Sequence, residues 1–330
     1  MTYQPNMTRR AALAALAATA SVGAFAQTQN PAASYPQKVV KIIVPYGPGT
    51  GSDVLARILA EHLGPRLGQA VIVENKAGAS GLIGTQFVSN ATADGYTLMM
   101  AGPTLTINSA TRKTPYNPVS SFAPISQVGR SSVVLVVHPS VPANSLTELV
   151  AYLKEQGDNA TYSSAGVGSA IHLYSAQFQQ VVGSRMRHIP SKGVAGAVMD
   201  VVQNQVTMTL ATFEAAAPLL RGGRLKALAQ TGEVRSANLP DVPTFAEGGV
   251  PGFRVELWYG MFAPAATSPA LVERLNRELR AVVALPTVKT LFAAAGTDTF
   301  IGTTQELGKI VRDEFATWSE LTKRMGIKAE

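Results

Sequence analysis

Between Val39 and Met100 the sequence alternates between β-branched runs and helical spacing, and few folds accept that rhythm. Val39 to Val44 is interrupted only by Lys41, as expected of a strand covered on both faces. Ala70 to Val73 and Tyr96 to Met100 repeat the theme. Between them Val54, Leu55, Ile58, Leu59 and Leu63, then Leu82, Ile83, Phe87 and Val88, fall at helical spacing. Strand, helix, strand, helix, strand at these intervals predicts a parallel sheet with right-handed crossovers.

The second half follows the same plan. Ser132 to Val137 reads as a strand, and Ser145 to Glu148 as a capping box opening a helix that stops near Gly157. "ATYSSAGVGSAIHLYSAQF" is strand, glycine-rich turn and helix; "RMRHIPSKGVAGAVMDVVQNQV" and "VTMTLATFEAAAPLLRGGRLKALA" are two more such units. Ser268-Pro269 starts a helix with Leu271, Val272, Leu275, Leu279 and Val282 on one face. Thr303 to Glu306 is a second capping box, before a last amphipathic helix running through Trp318. No repeat of fixed period is present. Two similar α/β lobes with a cleft at the turns is the simplest architecture. The chain is expected to cross between lobes near Phe122 to Val134 and Phe253 to Phe262.

The amino end reads as an export signal. Arg9 and Arg10 precede the apolar run "AALAALAATASVGAF", and "AFA" at Ala24 to Ala26 offers small residues for cleavage. The run is too short to span a membrane. Residues 1–26 are therefore expected to be removed on export, by the Sec or the twin-arginine route. With no Cys, disulfides, thiol catalysis and a lipid-anchored mature form are excluded. About 300 mature residues exceed one hydrophobic core, so two domains are expected. The formal charge of +7 falls to +5 once Arg9 and Arg10 are gone, since residues 1–26 hold no acid. The remaining Lys and Arg residues are scattered without interleaved aromatics, which argues against nucleic-acid binding.

"YGPGTGSD" follows the first strand and raises the question of what it holds. It has no lysine, so it is no phosphate loop, and Ser52 stands where a dinucleotide fingerprint needs its last glycine. What remains is general: unpaired N–H groups around Gly51 to Val54 at a helix start, where the helix dipole favours an anion. "NKAGASGLIG" repeats the device at Ala77 to Gly81, and "SSAGVGS" is a third instance. A single turn of this kind is usually only a tight connection. Three of them at strand ends point to a site, and a carboxylate suits paired sets of N–H donors.

"VPYGPGTGSDVLAR", "VENKAGASGLIGTQFV", "DGYTLMM", "YSSAGVGSAIHL", "HIPSKG", "RGGRLKALAQTGEVRSANLPDVPTFAEGG" and "ELWYGMFAPAATSP" occur in that order. With them the chain resembles the Bug family, periplasmic solute-binding receptors of tripartite tricarboxylate transporters, from Tyr35 to the carboxyl end. The resemblance implies an α/β, two-lobed periplasmic-binding-protein fold of type II-like plan, each lobe a mostly parallel sheet flanked by helices. Residues 27–127 plus 261–330 would form one lobe and residues 128–260 the other. It also implies a monomer that closes on a small di- or tricarboxylate and hands it to a membrane permease, with no cofactor.

Carried over residue by residue, the resemblance points to Tyr46, Gly47, Gly49, Thr50, Ser52 and Asp53, then Ala79, Ser80 and Gly81, with Thr104 after the third strand. From the second lobe come Ser164, Ala165, Gly168, Ser169 and His172, then Ser191, Lys192 and Gly193, with Phe213 and Glu214 at the far end of the ligand. Two positions depart from the family. Thr50 replaces the second glycine of P-G-G, and Ser191 replaces the tyrosine of P-Y-K-G. If that ring normally lines the pocket, its loss makes room. Tyr46, Phe213 and Trp258 are then available to stack on an aromatic dicarboxylate such as terephthalate. Glu214 counts against a bare carboxylate at that end unless it is protonated or turned aside.

Simpler roles stand beside these. Asp53 at a helix start is expected to order the turn more than to touch a ligand. His172 is as well read as a partly buried histidine as a ligand donor, and Lys192 as a solvated rim residue. Trp258 is expected to pack at the lobe crossing, and Arg221 and Arg224 to serve a helix end. His62, His138 and His188 have no metal-ligand spacing. No G-x-S-x-G elbow or Ser/His/Asp set is legible, so a hydrolase is the weaker alternative. A sensor docking on a signalling protein would leave the same sequence.

Overall fold

The computed structural model describes Met1 and residues 34–329; the rest of the segment read as an export signal lies outside the described residues. Met1–Tyr35 forms one unit and Pro36–Glu330 another, and everything below lies in the second. Its strands assemble into two sheets. The first has six strands in the order β11-β4-β10-β3-β1-β2: β1 (Val40–Val44), β2 (Val71–Asn75), β3 (Thr97–Ala101), β4 (Phe122–Ser131), β10 (Leu257–Pro264) and β11 (Asp298–Thr299). The second has five in the order β7-β6-β8-β5-β9: β5 (Val133–Val137), β6 (Thr161–Ser164), β7 (Arg187–Pro190), β8 (Met208–Thr212) and β9 (Lys226–Gln230).

Each sheet is parallel where the glycine-rich turns are and antiparallel elsewhere. β1 runs parallel to β2 and β3, and β6 parallel to β7 and β8. The antiparallel partners are the strands nearest the crossings: β10 pairs with β3 and β4, and β5 with β8 and β9. Only Ser132 separates β4 from β5, so the chain passes from one sheet to the other in a single residue. It returns between β9 and β10.

The helices follow from caps and apolar spacing. They are α1 (Gly51–Leu67), α2 (Leu82–Ser89), α3 (Thr104–Thr111), α4 (Leu146–Gln156), α5 (Ala170–Val182), α6 (Gly193–Val202), α7 (Phe213–Arg221), α8 (Pro269–Val283), α9 (Pro286–Ala294) and α10 (Thr304–Met325). The Thr303/Glu306 capping box forms in full. At Ser145 only half of it does: the hydroxyl accepts from the Glu148 N–H, while the Glu148 carboxylate takes the Asn144 N–H instead. α10 runs past Trp318 to Met325. The apolar positions Leu321 and Met325 extend its buried stripe, and Gly326 in the left-handed region ends it.

β5 shows how both faces of the second sheet are filled. All five residues of "VVLVV" are buried. Val133, Leu135 and Val137 enter a core with α4 and α5, and Val134 and Val136 enter one with α6, the alternation a strand imposes. The first sheet packs Ile43, Met99, Trp258 and Phe262 against Leu307 and Val311 of α10. Farther along the same helix, Trp318 and Leu321 enter the core of the second sheet.

Candidate functional site

Because β1, β2 and β3 are parallel, the segments leaving their carboxyl ends share one sheet edge. These are the turn before α1, the single 3-10 turn Ala79–Gly81 before α2, and the start of α3. The helices that begin there carry no side-chain cap: Thr50, Gly81 and Pro103 precede α1, α2 and α3 without a side-chain bond to the first turn, although the Leu82, Leu105 and Thr106 N–H groups meet the carbonyls of Ala79, Gly102 and Pro103. The Thr50 hydroxyl donates to the Gly47 carbonyl, 3.0 Å away. Away from the turns, Ser145, Ser268 and Thr303 close α4, α8 and α10 with hydroxyl caps, although α9 begins without one. Uncapped N–H groups at a helix start are donors for an anion.

The second turn is strained. Ala79 and Ser80 both have positive φ, 47° and 57°, and the one other non-glycine residue so placed among the described residues is Asn204. Such backbone holds only where its surroundings fix it. Here the Asn108 amide donates to the Ser80 carbonyl at 2.9 Å. Gly81, at φ +92°, lies against Tyr46: a Cβ there would sit 3.0 Å from the ring. The Tyr46 phenol is raised above its ordinary value by burial, an effect the neighbouring Thr104 hydroxyl partly offsets. Tyr46, Thr104 and both turns are thus one assembly.

Asp53 orders the first turn. Buried at the start of α1, its carboxylate accepts from the Gly49 N–H at 2.9 Å, the Asn75 amide at 2.9 Å and Arg57 Nε at 3.1 Å. Burial alone would raise its pKa, but the bonds from Arg57, Gly49 and Asn75 outweigh that and hold it below the ordinary value. Asn75 also donates to the Tyr46 carbonyl, tying β2 to the first turn. Asp53 therefore has its acceptor sites engaged within the fold. Ser52 is buried beside it, while Gly49 and Thr50 are exposed.

In the second sheet, β6, β7 and β8 likewise end at one edge, leading to α5, α6 and α7. Ser169 caps α5 by accepting from the His172 N–H. His172 is buried, and its Nδ1 accepts from the Gly168 N–H at 3.1 Å, which leaves the ring proton on Nε2. It stacks on His188, whose Nε2 lies 2.7 Å from the Ser164 hydroxyl. Ser164 also receives the Ser191 N–H at its carbonyl and the Gly166 N–H at its hydroxyl. Ala165 is half-buried between them. Lys192 and Gly193 are exposed at the uncapped start of α6, and Phe213 and Glu214 form the uncapped start of α7.

The two edges meet around Tyr259, which sequence reasoning passed over. Its hydroxyl lies 2.5 Å from where a Cβ on Gly51 would stand. Burial first, and then the charge of Glu214, push the phenol up to about 12. Glu214 and Phe213 in turn lie against Gly296 of the first sheet's side. Glu214 is reachable by solvent yet walled by protein, and that enclosure raises its pKa, opposed by its own N–H and the Thr212 hydroxyl. Asn75, Asn108 and His188 were likewise missed as site-builders. They bind backbone and side-chain atoms of the turns, a role with no motif. Trp258 had a signal for its neighbour: it is fully buried in the first sheet's core, and strand alternation turns Tyr259 to the other face. It is not available to stack on a ligand at the turns.

The model of the tripartite tricarboxylate transporter family receptor matches residues 55–327. The chain belongs to this receptor family. It is 34% identical to Protein BugT of Bordetella pertussis over 327 residues, covering 98% of this chain and 99% of that one. The solved structure of periplasmic binding protein BugD is 33% identical, with a TM-score of 0.73 over 90% of this chain and all of its own. That of R. palustris Rpa4515 with adipate is 30% identical, with a TM-score of 0.75 over 89% of this chain and 99% of its own. The family consists of receptors, and the receptor's two sheets with flanking helices are its two-lobed α/β fold. Among the described residues, no helix is long and apolar enough to cross a membrane, and no three His, Asp or Glu side chains group as metal ligands.

Proposed function

We propose that this receptor works in the periplasm after export and cleavage of residues 1–26, capturing a small carboxylate between its lobes and delivering it, as a monomer, to the permease of a tripartite tricarboxylate transporter. The lobes are residues 27–127 plus 261–330 and residues 128–260. The observation that carries the reading is the set of three uncapped helix starts at one sheet edge, one of them held in strained backbone by Asn108. The adipate held by a relative of the same fold supports it.

One carboxylate would meet the N–H groups of Gly51 and Ser52 and the turn of Ala79, Ser80 and Gly81, with Thr104 and Tyr46 beside it. Ser164, Ala165, Gly168, Ser169, His172, Ser191, Lys192 and Gly193 would close over it from the second lobe, with Phe213 and Glu214 at its other end. Only a ligand bound more tightly by the closed form drives closure. Among carboxylates, a dicarboxylate is favoured because Glu214, once it takes up a proton on binding, can donate to a second carboxylate. Ser191 in place of a tyrosine, and the rings of Tyr46, Phe213 and Tyr259, favour an aromatic one such as terephthalate.

Thermal melting of the refolded mature protein against aliphatic di- and tricarboxylates, aromatic diacids and their monoacids tests this. A ligand at 100 times its Kd adds about 2.7 kcal/mol. Terephthalate is expected to shift the melt and benzoate to leave it. A shift by aliphatic acids alone removes the aromatic reading, and no shift by any acid removes the carboxylate reading.

A further inference from the structure

None of the site residues named above lines the cavity of ≈ 860 Å³ that opens on the other face of β10. Tyr259 points to the turns; Trp258 and Glu256, one and three residues before it, line this cavity instead. From α10 come Glu314 and Trp318, one helical turn apart. Phe245, Phe253 and Phe300 complete aromatic walls. The volume lies within the range of about 300–1,000 Å³ usual for small-molecule sites.

The polar groups at its base are incompletely matched. Trp258 and Trp318 are 0% and 2% exposed, yet neither indole N–H makes a well-formed hydrogen bond. Both stand beside the Glu314 carboxyl, which already accepts from the Thr106 hydroxyl at 3.0 Å. Three donors around one carboxyl suit its ionised, acceptor-only form. Burial and the nearby Glu256 raise Glu314 to about 8, and the three donors only partly oppose them. Glu256 itself is engaged by the Gln127 amide, and Tyr174 donates to its carbonyl. The three basic side chains of the lining have partners of their own on the cavity wall. Arg130 lies over the Phe300 ring, Lys309 pairs with Asp313, and Arg254 bonds the Pro251 carbonyl.

We propose that this cavity is a second binding site, taking an organic ammonium ion with the Glu314 carboxylate as counter-ion and the two buried indoles behind it holding that carboxylate. On binding, Glu314 releases its proton to solvent and its oxygens accept from both indole N–H groups. An inorganic metal ion fits poorly, since the groups nearest Glu314 are donors rather than ligands.

The chain has two Trp residues and both line this cavity, so intrinsic fluorescence reports on it selectively. The full chain is titrated with benzyltrimethylammonium chloride, benzyl alcohol and sodium chloride at matched ionic strength. The expected result is a saturable emission change with the ammonium ion alone, weakened by about tenfold or more in Glu314→Gln. An equal response to benzyl alcohol makes the cavity an apolar pocket and overturns the proposal. So does a wild-type titration without saturation, or a folded Glu314→Gln that titrates like wild type. Should Glu314→Gln not fold, the comparison of ammonium with alcohol on the wild type decides.

Discussion

His172 and His188 stack face to face, their ring centroids 3.8 Å apart and their planes 11° from parallel. Burial first, and then the neighbouring ring, lower His172 to about 4; burial also lowers His188. A histidine held below its ordinary 6.5 binds fewer protons folded than unfolded between those values. Its stabilising effect is whole above pH 6.5 and is lost as the pH falls towards about 4, an interval worth about 3 kcal/mol for His172. The melting temperature of the unliganded protein is expected to drop across that window. His188→Phe keeps a ring in the stack and removes one titrating group, so its slope should be shallower. A wild-type melt that is level from pH 6.5 to 4 would count against this account of the pair.

Gly84 near the start of α2 is a site where alanine should harm. In an exposed helix the change Gly→Ala stabilises by about 1 kcal/mol. Here the new Cβ would lie 2.7 Å from the Lys76 carbonyl oxygen and 2.8 Å from Pro45 Cα, both backbone atoms that cannot swing away. Overpacking of this kind costs about 1–3 kcal/mol. Urea denaturation of Gly84→Ala should therefore show a net loss of stability, and a gain would mean that α2 shifts freely on β1.

Ser80→Gly separates strain from stability. Relief of left-handed backbone is worth about 1–2 kcal/mol, and the greater freedom of unfolded glycine takes back about 0.5–1. The melt should move little. Calorimetry should nevertheless show weaker carboxylate binding, since the turn is no longer held open for the ligand. Unchanged affinity would remove the turn from the site.

Glu214 predicts a proton count. A carboxylate ligand closing on it would raise its pKa further, so binding near neutral pH should take up protons. Calorimetric heats should then vary with the ionisation enthalpy of the buffer. In Glu214→Gln that variation should vanish and affinity at pH 7 rise by up to about tenfold. Equal heats in all buffers for the wild type would place Glu214 outside the ligand's reach.

What could be read from the chain beforehand was set by local physics. β5 and α10 announced themselves because their apolar periods and caps are short-range properties of "VVLVV" and of Thr303 to Glu306. The glycine-rich turns could be placed at strand ends for the same reason. Tyr259, Asn108 and His188 could not, because their partners lie far off in sequence: Gly51, Ser80 and Ser164. Trp258 was half legible. Its place at a crossing was expected, but which face of β10 it takes depends on the register with β3 and β4.

α10 also bears on how the chain is made. Its first half completes one core through Leu307 and Val311, and its second half completes the other through Trp318 and Leu321. A chain that emerges amino end first offers all eleven strands before this helix arrives, and neither core can close in the meantime. Ending the chain at Gly302 is expected to abolish cooperative melting of both halves. Delivery of the carboxyl end is thus the event that sets the whole molecule, and until then the chain stays loose enough to be threaded.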